Sequence, residues 1–404
     1  MIKVAFIHTS TMLNLRGSEN YIILMSQLLR KKGFDVTILN FDYDKRYLND
    51  ASDLLERRKY IAEMLRGIKY QQLHGTRLYV PSIFSRSNNR FICFVVQHTK
   101  FLPLSRRVFK VLRESNIIYF VQVQSNPAYL LSFLTLGLLS GRKNVIAALH
   151  ARAKPTAVQS SILKMFSRIG LLRVTRTFVR EHRTYLKTLY GCDSIYIPSH
   201  IDIRKYPVKE KRIKQYLDVL FVGALTYKKG VDIIPAICNR LESKAVPYRL
   251  SVCSPGGPLK EDILHFTSKN KNAIYYGYLP RSELIDRYHT SHIMIVPSRD
   301  DQFPVVTLEA QACGTPVLVS DITGLRESVP YGCEYLLAKP ADPFDFADKL
   351  QIIYKMLKDN PNQYRTLCTQ SRKYVQDNFD EEKVLSDTLN MLLKVAVGKN
   401  AKSR

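Results

Sequence analysis

The chain has 404 residues, 46% of them hydrophobic and 24% charged. That balance forms cores, so a mainly disordered chain is excluded, and the length suits about two domains at ~100–200 residues each. Lys and Arg number 61 against 35 Asp and Glu, a formal net charge of +26, which points to polyanionic partners: a nucleotide diphosphate, nucleic acid or an anionic membrane surface.

In chain order, residues 1–12 (MIKVAFIHTSTM) carry too short an apolar run for a secretory leader. Residues 4–8 read as a strand, 18–32 as a helix stopped by Gly33, and 35–40 as a second strand. The uncharged stretch 117–140 is long enough to cross a bilayer. Gln122, Gln124, Ser125, Asn126 and Pro127 interrupt it, so it reads better as a strand over 117–123, a turn and a buried helix. Strands over 145–150 and 195–198 close this half. Two basic amphipathic stretches lie within it. Arg106, Arg107, Lys110 and Arg113 flank Val108 and Leu112; Lys164, Arg168, Arg173, Arg176, Arg180, Arg183 and Lys187 flank Leu163, Met165, Phe166 and Ile169. Such segments dock on anionic lipid or form a solvated basic face.

A second series follows: strands over 218–223, 248–252, 273–276, 293–296 and 316–319, with helices over 231–244 and around Glu309. Residues 206–215, with a proline and clustered charges, read as a linker. The alternation predicts an α/β protein with two doubly wound parallel sheets. The expected domains are 1–207, 216–378, and a C-terminal helix with a basic tail over 379–404. Two such domains facing a cleft would offer ligand sites at the carboxyl ends of their strands. The seven cysteines show no C-x-x-C spacing; they read as small buried hydrophobes in a reducing compartment.

The richest stretch is 297–317, PSRDDQFPVVTLEAQACGTPV. A strand delivers a loop that enters a helix at Pro304, Val305, Val306 and Thr307, whose unpaired amides suit a diphosphate. Asp301 precedes this helix and Glu309 lies within it, where a carboxylate accepting two hydroxyls makes a ribose hook. The plainer alternative is a helix cap and a solvated helix residue. Lys229, in FVGALTYKKG over 221–230, is either a diphosphate cation or a surface lysine at a helix start. His150, His98 and His8 adjoin apolar runs, and each is either functional or a core histidine. No D-x-D pair is placed for a metal, and no nucleic-acid module is recognisable, so nucleic acid is an unlikely partner.

The 297–320 stretch resembles the signature of retaining GT-B glycosyltransferases, glycosyltransferase family 4: two acidic residues with seven between them, a small-residue helix, then G-x-P-V. The resemblance makes the pair Asp301, beside the transferred sugar, and Glu309, on the nucleotide ribose. Phe303, Pro304 and Val305 match the backbone facing the sugar and diphosphate. FVGALTYKKG is similar to the family's V-G-R-L-x-x-x-K-G, with Gly223 at the strand end and Lys229 as the matching lysine. Ser254 in SPGGP stands at the family's glycine-rich turn beside the nucleotide, and Gly277 in YGYLP at the strand end near the base. TGLRE over 323–327 and IPSHID over 197–202 match further segments. Gly17 in RGSE stands at the first helix start, and His150 follows its strand as the family's histidine does. Departures are Asp301 for Glu, Pro304 and Arg16 for Gly, and Ala224 for Arg.

The resemblance implies a GT-B fold and an enzyme that transfers a sugar from a nucleotide-diphosphate donor to a hydroxyl with retention. It implies no cofactor beyond the nucleotide sugar as substrate, and no metal. The acceptor expected is a lipid-linked or cell-surface glycan, at a cytoplasmic location peripheral to the inner face of the plasma membrane. The alternative expectation is a catalytically impaired GT-B-like protein acting as a binding partner.

Overall fold

The structure is a computed structural model that describes residues 1–8, 17–42, 66, 68–74, 106–123, 134, 138, 141, 144–149, 157–301 and 303–396. Contacts divide the chain into two compact units, Met1–Ile197 with Leu385–Arg404, and Pro198–Val384.

The first unit contains strands β1 (Lys3–His8), β2 (Asp35–Asp42), β3 (Lys69–His74), β4 (Ile117–Val123), β5 (Val145–Leu149), β6 (Leu172–Thr177) and β7 (Asp193–Tyr196). Its described helices include α1 (Gly17–Lys31), α2 (Arg106–Glu114), α3 (Ala157–Arg168) and α4 (His182–Tyr190). The strands form one seven-stranded sheet in the order β3-β2-β1-β4-β5-β6-β7, with every pairing parallel. Chain order reverses between β1 and β4. Gly33 leaves α1 with φ +82°, the left-handed turn that glycine takes most readily.

The second unit contains β8 (Leu217–Val222), β9 (Tyr248–Cys253), β10 (Ala273–Gly277), β11 (Ile293–Val296), β12 (Val317–Ser320) and β13 (Leu337–Ala338). Its helices are α5 (Ile234–Ser243), α6 (Lys260–Lys269), α7 (Arg281–Thr290), α8 (Val305–Ala312), α9 (Thr323–Arg326), α10 (Pro343–Asp359) and α11 (Pro361–Phe379), followed by α12 (Glu381–Ala396). The sheet order is β10-β9-β8-β11-β12-β13, again parallel throughout. This is the Rossmann order, reversing between β8 and β11. Every residue of β11 and β12 is buried, as parallel strands covered on both faces require. The expected pair of doubly wound Rossmann-like α/β domains is therefore what the chain forms.

Three expectations change. Residues 206–215 are not a free linker but a strap fixed to the second unit. Lys211 Nζ donates to the carbonyls of Tyr288, His289 and Ser291 and to Thr315 Oγ1 at 2.5–3.1 Å. The Pro207 carbonyl lies 2.6 Å from His289 Nε2, and the Arg212 carbonyl 2.8 Å from His292 Nε2. The unit boundary accordingly falls at 197/198 rather than at 207. The tail expected as one piece over 379–404 is shared: α12 starts in the second unit and continues in the first, where Tyr21 Oη donates to Thr388 Oγ1 at 3.2 Å.

Finally, the basic stretch from 164 to 187 is three elements, α3, β6 and α4. Its Arg176 is 1% exposed, donating from Nε to the Ile197 carbonyl and from Nη1 to Tyr119 Oη. It belongs to the interior, not to a docking face. Among the described residues, no helix is long and apolar enough to cross a membrane. Six described cysteines are unbridged and buried, and burial pushes the Cys192, Cys238 and Cys313 thiols up to about 12.

Candidate functional site

Where chain order reverses in an open α/β sheet, the loops leaving neighbouring strands turn opposite ways and leave a crevice at the carboxyl end. In the second unit these are the 223–230 loop after β8 and the 297–304 loop after β11. The two are sewn together. Arg299 N donates to the Lys228 carbonyl at 2.9 Å and Arg299 Nη1 to the Tyr227 carbonyl at 2.8 Å. The same guanidinium grips Asp232 with both forks at 2.6 and 2.7 Å and lies 3.8 Å from the Tyr227 ring centroid. Gly230, at φ +69°, lies so close to the other loop that an added Cβ would stand 1.9 Å from the Pro297 carbonyl oxygen.

This stitching sets the chemistry. Lys229 Nζ forms an ion pair with Asp301 Oδ2, and Ser298 Oγ lies 3.4 Å from the same oxygen. Lys228 Nζ lies 3.5 Å from Asp300. Phe303 then takes φ +142°, a strained value for a residue with a Cβ. Its carbonyl accepts from Ser199 Oγ at 3.4 Å and its ring packs 5.1 Å from that of Phe379.

α8 starts next, with Pro304 as its cap. Proline brings no N–H, and the Thr307 amide is already spent on the Pro304 carbonyl at 3.2 Å. The helix start therefore offers the amides of Val305 and Val306, which have no intrahelical acceptor. Gly223, Ser254 and Gly277 stand at the adjoining ends of β8, β9 and β10. Gly223 N donates to the Cys253 carbonyl at 3.2 Å and Ser254 N to the Gly277 carbonyl at 2.8 Å. The second-unit residues singled out in the sequence thus share one end of one sheet.

Glu309 faces partners that sequence reasoning missed. Tyr206 Oη donates to one carboxylate oxygen at 2.7 Å and Tyr288 Oη to the other at 2.9 Å, while Arg281 Nη2 donates to Tyr206 Oη. Burial first, and the Glu309 carboxylate second, push both phenols well above their ordinary range. They stay protonated and permanently donate. Tyr206 is 103 residues from Glu309 and lies in the strap, so no local spacing could have shown it. Arg281 has a faint signal, as the basic residue that opens a helix after YGYLP.

In the first unit, Gly17 opens α1 just beyond β1, at that sheet's own order reversal. His150 and His98 lie outside the described residues. No group of three or more His, Cys, Asp or Glu side chains able to hold a metal occurs among the described residues. The second-unit site instead combines one lysine, helix-start amides and two carboxylates, a set that can hold a diphosphate and sugar hydroxyls.

Residues 202–373 match the family described as Glycosyl transferases group 1. A D-inositol 3-phosphate glycosyltransferase of Streptosporangium roseum is 27% identical over 242 residues, covering 53% of each chain. The chain spans about half the length of the curated relatives it matches. The crystal structure of a glycosyltransferase from Rickettsia africae superposes with a TM-score of 0.71 at 13% identity, covering 98% of this chain and 99% of that one. Anabaena Alr3699/HepE, solved in complex with UDP and glucose, gives 0.68 at 14% identity, covering 97% of this chain and all of its own. These likenesses show the fold, that of GT-B glycosyltransferases.

Proposed function

We propose that this chain, built around a Glycosyl transferases group 1 domain at residues 202–373, moves a sugar from a nucleotide-diphosphate donor to a hydroxyl, retaining the anomeric configuration. The observation that carries the proposal is the Lys229–Asp301 pair held beside the α8 start at the β8/β11 order reversal. The match of the domain to its family and the UDP named with one structural neighbour support it.

Lys229 exchanges its aspartate for the donor diphosphate, whose oxygens also take the Val305 and Val306 amides. Asp301, so released, accepts a hydroxyl of the transferred sugar. Glu309, oriented by its two phenols, accepts from the ribose. In the transfer the bond from the anomeric carbon to the phosphate oxygen breaks and the bond to the acceptor oxygen forms on the same face. The departing diphosphate takes the acceptor's proton, while Lys229 offsets the charge that grows on it. The acceptor hydroxyl belongs to a lipid-linked or cell-surface glycan. The strong positive charge, including exposed Lys110 and Arg113 on α2, supports a position against an anionic membrane surface.

Incubation with UDP- and GDP-sugars, followed by assay for free nucleotide, tests this. Slow hydrolysis is expected from the wild-type chain and none from Glu309→Ala. A chain that binds nucleotide yet never releases it from a donor, with or without acceptor hydroxyls, would instead be a binding partner with the same fold.

A further inference from the structure

The first unit holds a second concave, cationic place that sugar transfer does not use. It is a cavity of about 650 Å³ between α4 and the edge strand β7. Arg180, Arg183 and Lys187 line it, against a single carboxylate, Asp193. Lys187 pairs with Asp193 at 2.8 Å, but these side chains are 65% and 47% exposed, so the pair is weak and exchangeable. Arg183 is aimed. Its Nε donates to the Ser194 carbonyl at 3.0 Å, which fixes the plane of the guanidinium. The Arg180 guanidinium lies 4.8 Å from the Tyr196 ring centroid, stacked on an aromatic wall.

A second, independent observation concerns Ser194, which also lines the cavity. It is 4% exposed, and its buried hydroxyl has no hydrogen-bond partner. A buried hydroxyl ordinarily has one.

We infer that this cavity binds a phosphate-bearing ligand. A planar, oriented guanidinium matches two oxygens of a phosphate. Lys187 would trade Asp193 for a third. The volume leaves room for a glycerol or sugar attached to the phosphate. The same chemistry is offered by a phospholipid headgroup and by a soluble phosphate ester. All these residues belong to the first unit, so the inference stands apart from the transfer proposal.

The test uses the full chain, the Arg180→Gln/Arg183→Gln double variant, and Lys187→Gln, an exposed position whose loss leaves the fold intact. Glycerol 3-phosphate is added at matched ionic strength and thermal stabilisation is followed. Flotation is run with vesicles of phosphatidylcholine, with and without phosphatidylglycerol. Binding should weaken about tenfold in the double variant and in the same direction in Lys187→Gln, with UDP binding unchanged in both. Loss confined to vesicles identifies a lipid headgroup, and loss confined to glycerol 3-phosphate identifies a soluble ester. If the wild-type chain binds neither probe, or folded variants bind both as well as it does, the inference is overturned.

Discussion

Glu309 shows what one side chain can be asked to do twice. Its two oxygens each hold a phenol, yet a carboxylate has about four acceptor positions, so room is left for the ribose hydroxyls of the proposed function. The phenols remain donors at every working pH, because burial and the carboxylate both oppose their ionisation. Tyr288→Phe removes a buried partner from that carboxylate. It should cost about 1–3 kcal/mol, visible as a lower urea midpoint with the slope unchanged. Asp301 and Lys229 were singled out in the sequence by resemblance to a family motif, and the structure pairs them. Tyr206 and Tyr288 were not, since their link to Glu309 exists only once the strap and α7 have folded against α8.

His292 adds a dependence on acid. It is 1% exposed; its Nδ1 accepts from the Asp218 amide at 2.9 Å, which leaves Nε2 to donate to the Arg212 carbonyl. Burial lowers its pKa, as it does that of His289. The unfolded chain, titrating near ~6.5, therefore binds protons that the native chain refuses, and stability falls as pH drops through and below that value. Urea midpoints should be lower at about pH 5 than at about pH 7, and His292→Gln should flatten the difference. Equal midpoints at the two pH values would contradict this account.

At the scale of elements, the site rests on two loops that cannot move apart without breaking the Arg299 contacts. Gly230 is the tightest point, needing both a left-handed backbone and space beside Pro297. Gly230→Ala should therefore destabilise by more than the ~1 kcal/mol typical of a backbone conflict alone, and should also weaken nucleotide binding, because the loop carrying Lys229 must shift. Stability loss without any loss of binding would show that the stitching does not position the lysine.

Most strands were readable, since apolar runs such as those of β8, β11 and β12 have few other uses. The ones missed have reasons. β3 (KYQQLH) lies at a sheet edge, where a polar strand is tolerated. β6 (LRVTRT) was read as part of a basic amphipathic stretch because Arg176, one of its two arginines, is buried rather than exposed. β13 is two residues long.

Over the whole molecule, both sheets reverse their order once, and the second-unit motifs cluster at the reversal between β8 and β11. Alternation of strands and helices was enough to predict this class. The unit boundaries were harder to read: charge and proline suggested a linker where buried Lys211, His289 and His292 in fact bind the strap to α7 and to the two residues after it. The excess of cations serves more than one purpose, since Arg176 is interior, Arg299 braces the site and Arg183 faces the first-unit cavity.

Calorimetric titration of the full chain and of Lys229→Ala with UDP, GDP and ADP is the most direct measurement of the central claim. The wild-type chain should bind at least one of them, and the variant should bind it tenfold or more weakly, a difference of about 1.4 kcal/mol. Absence of binding to all three, or equal affinity in the two chains, would contradict a diphosphate site at the β8/β11 reversal.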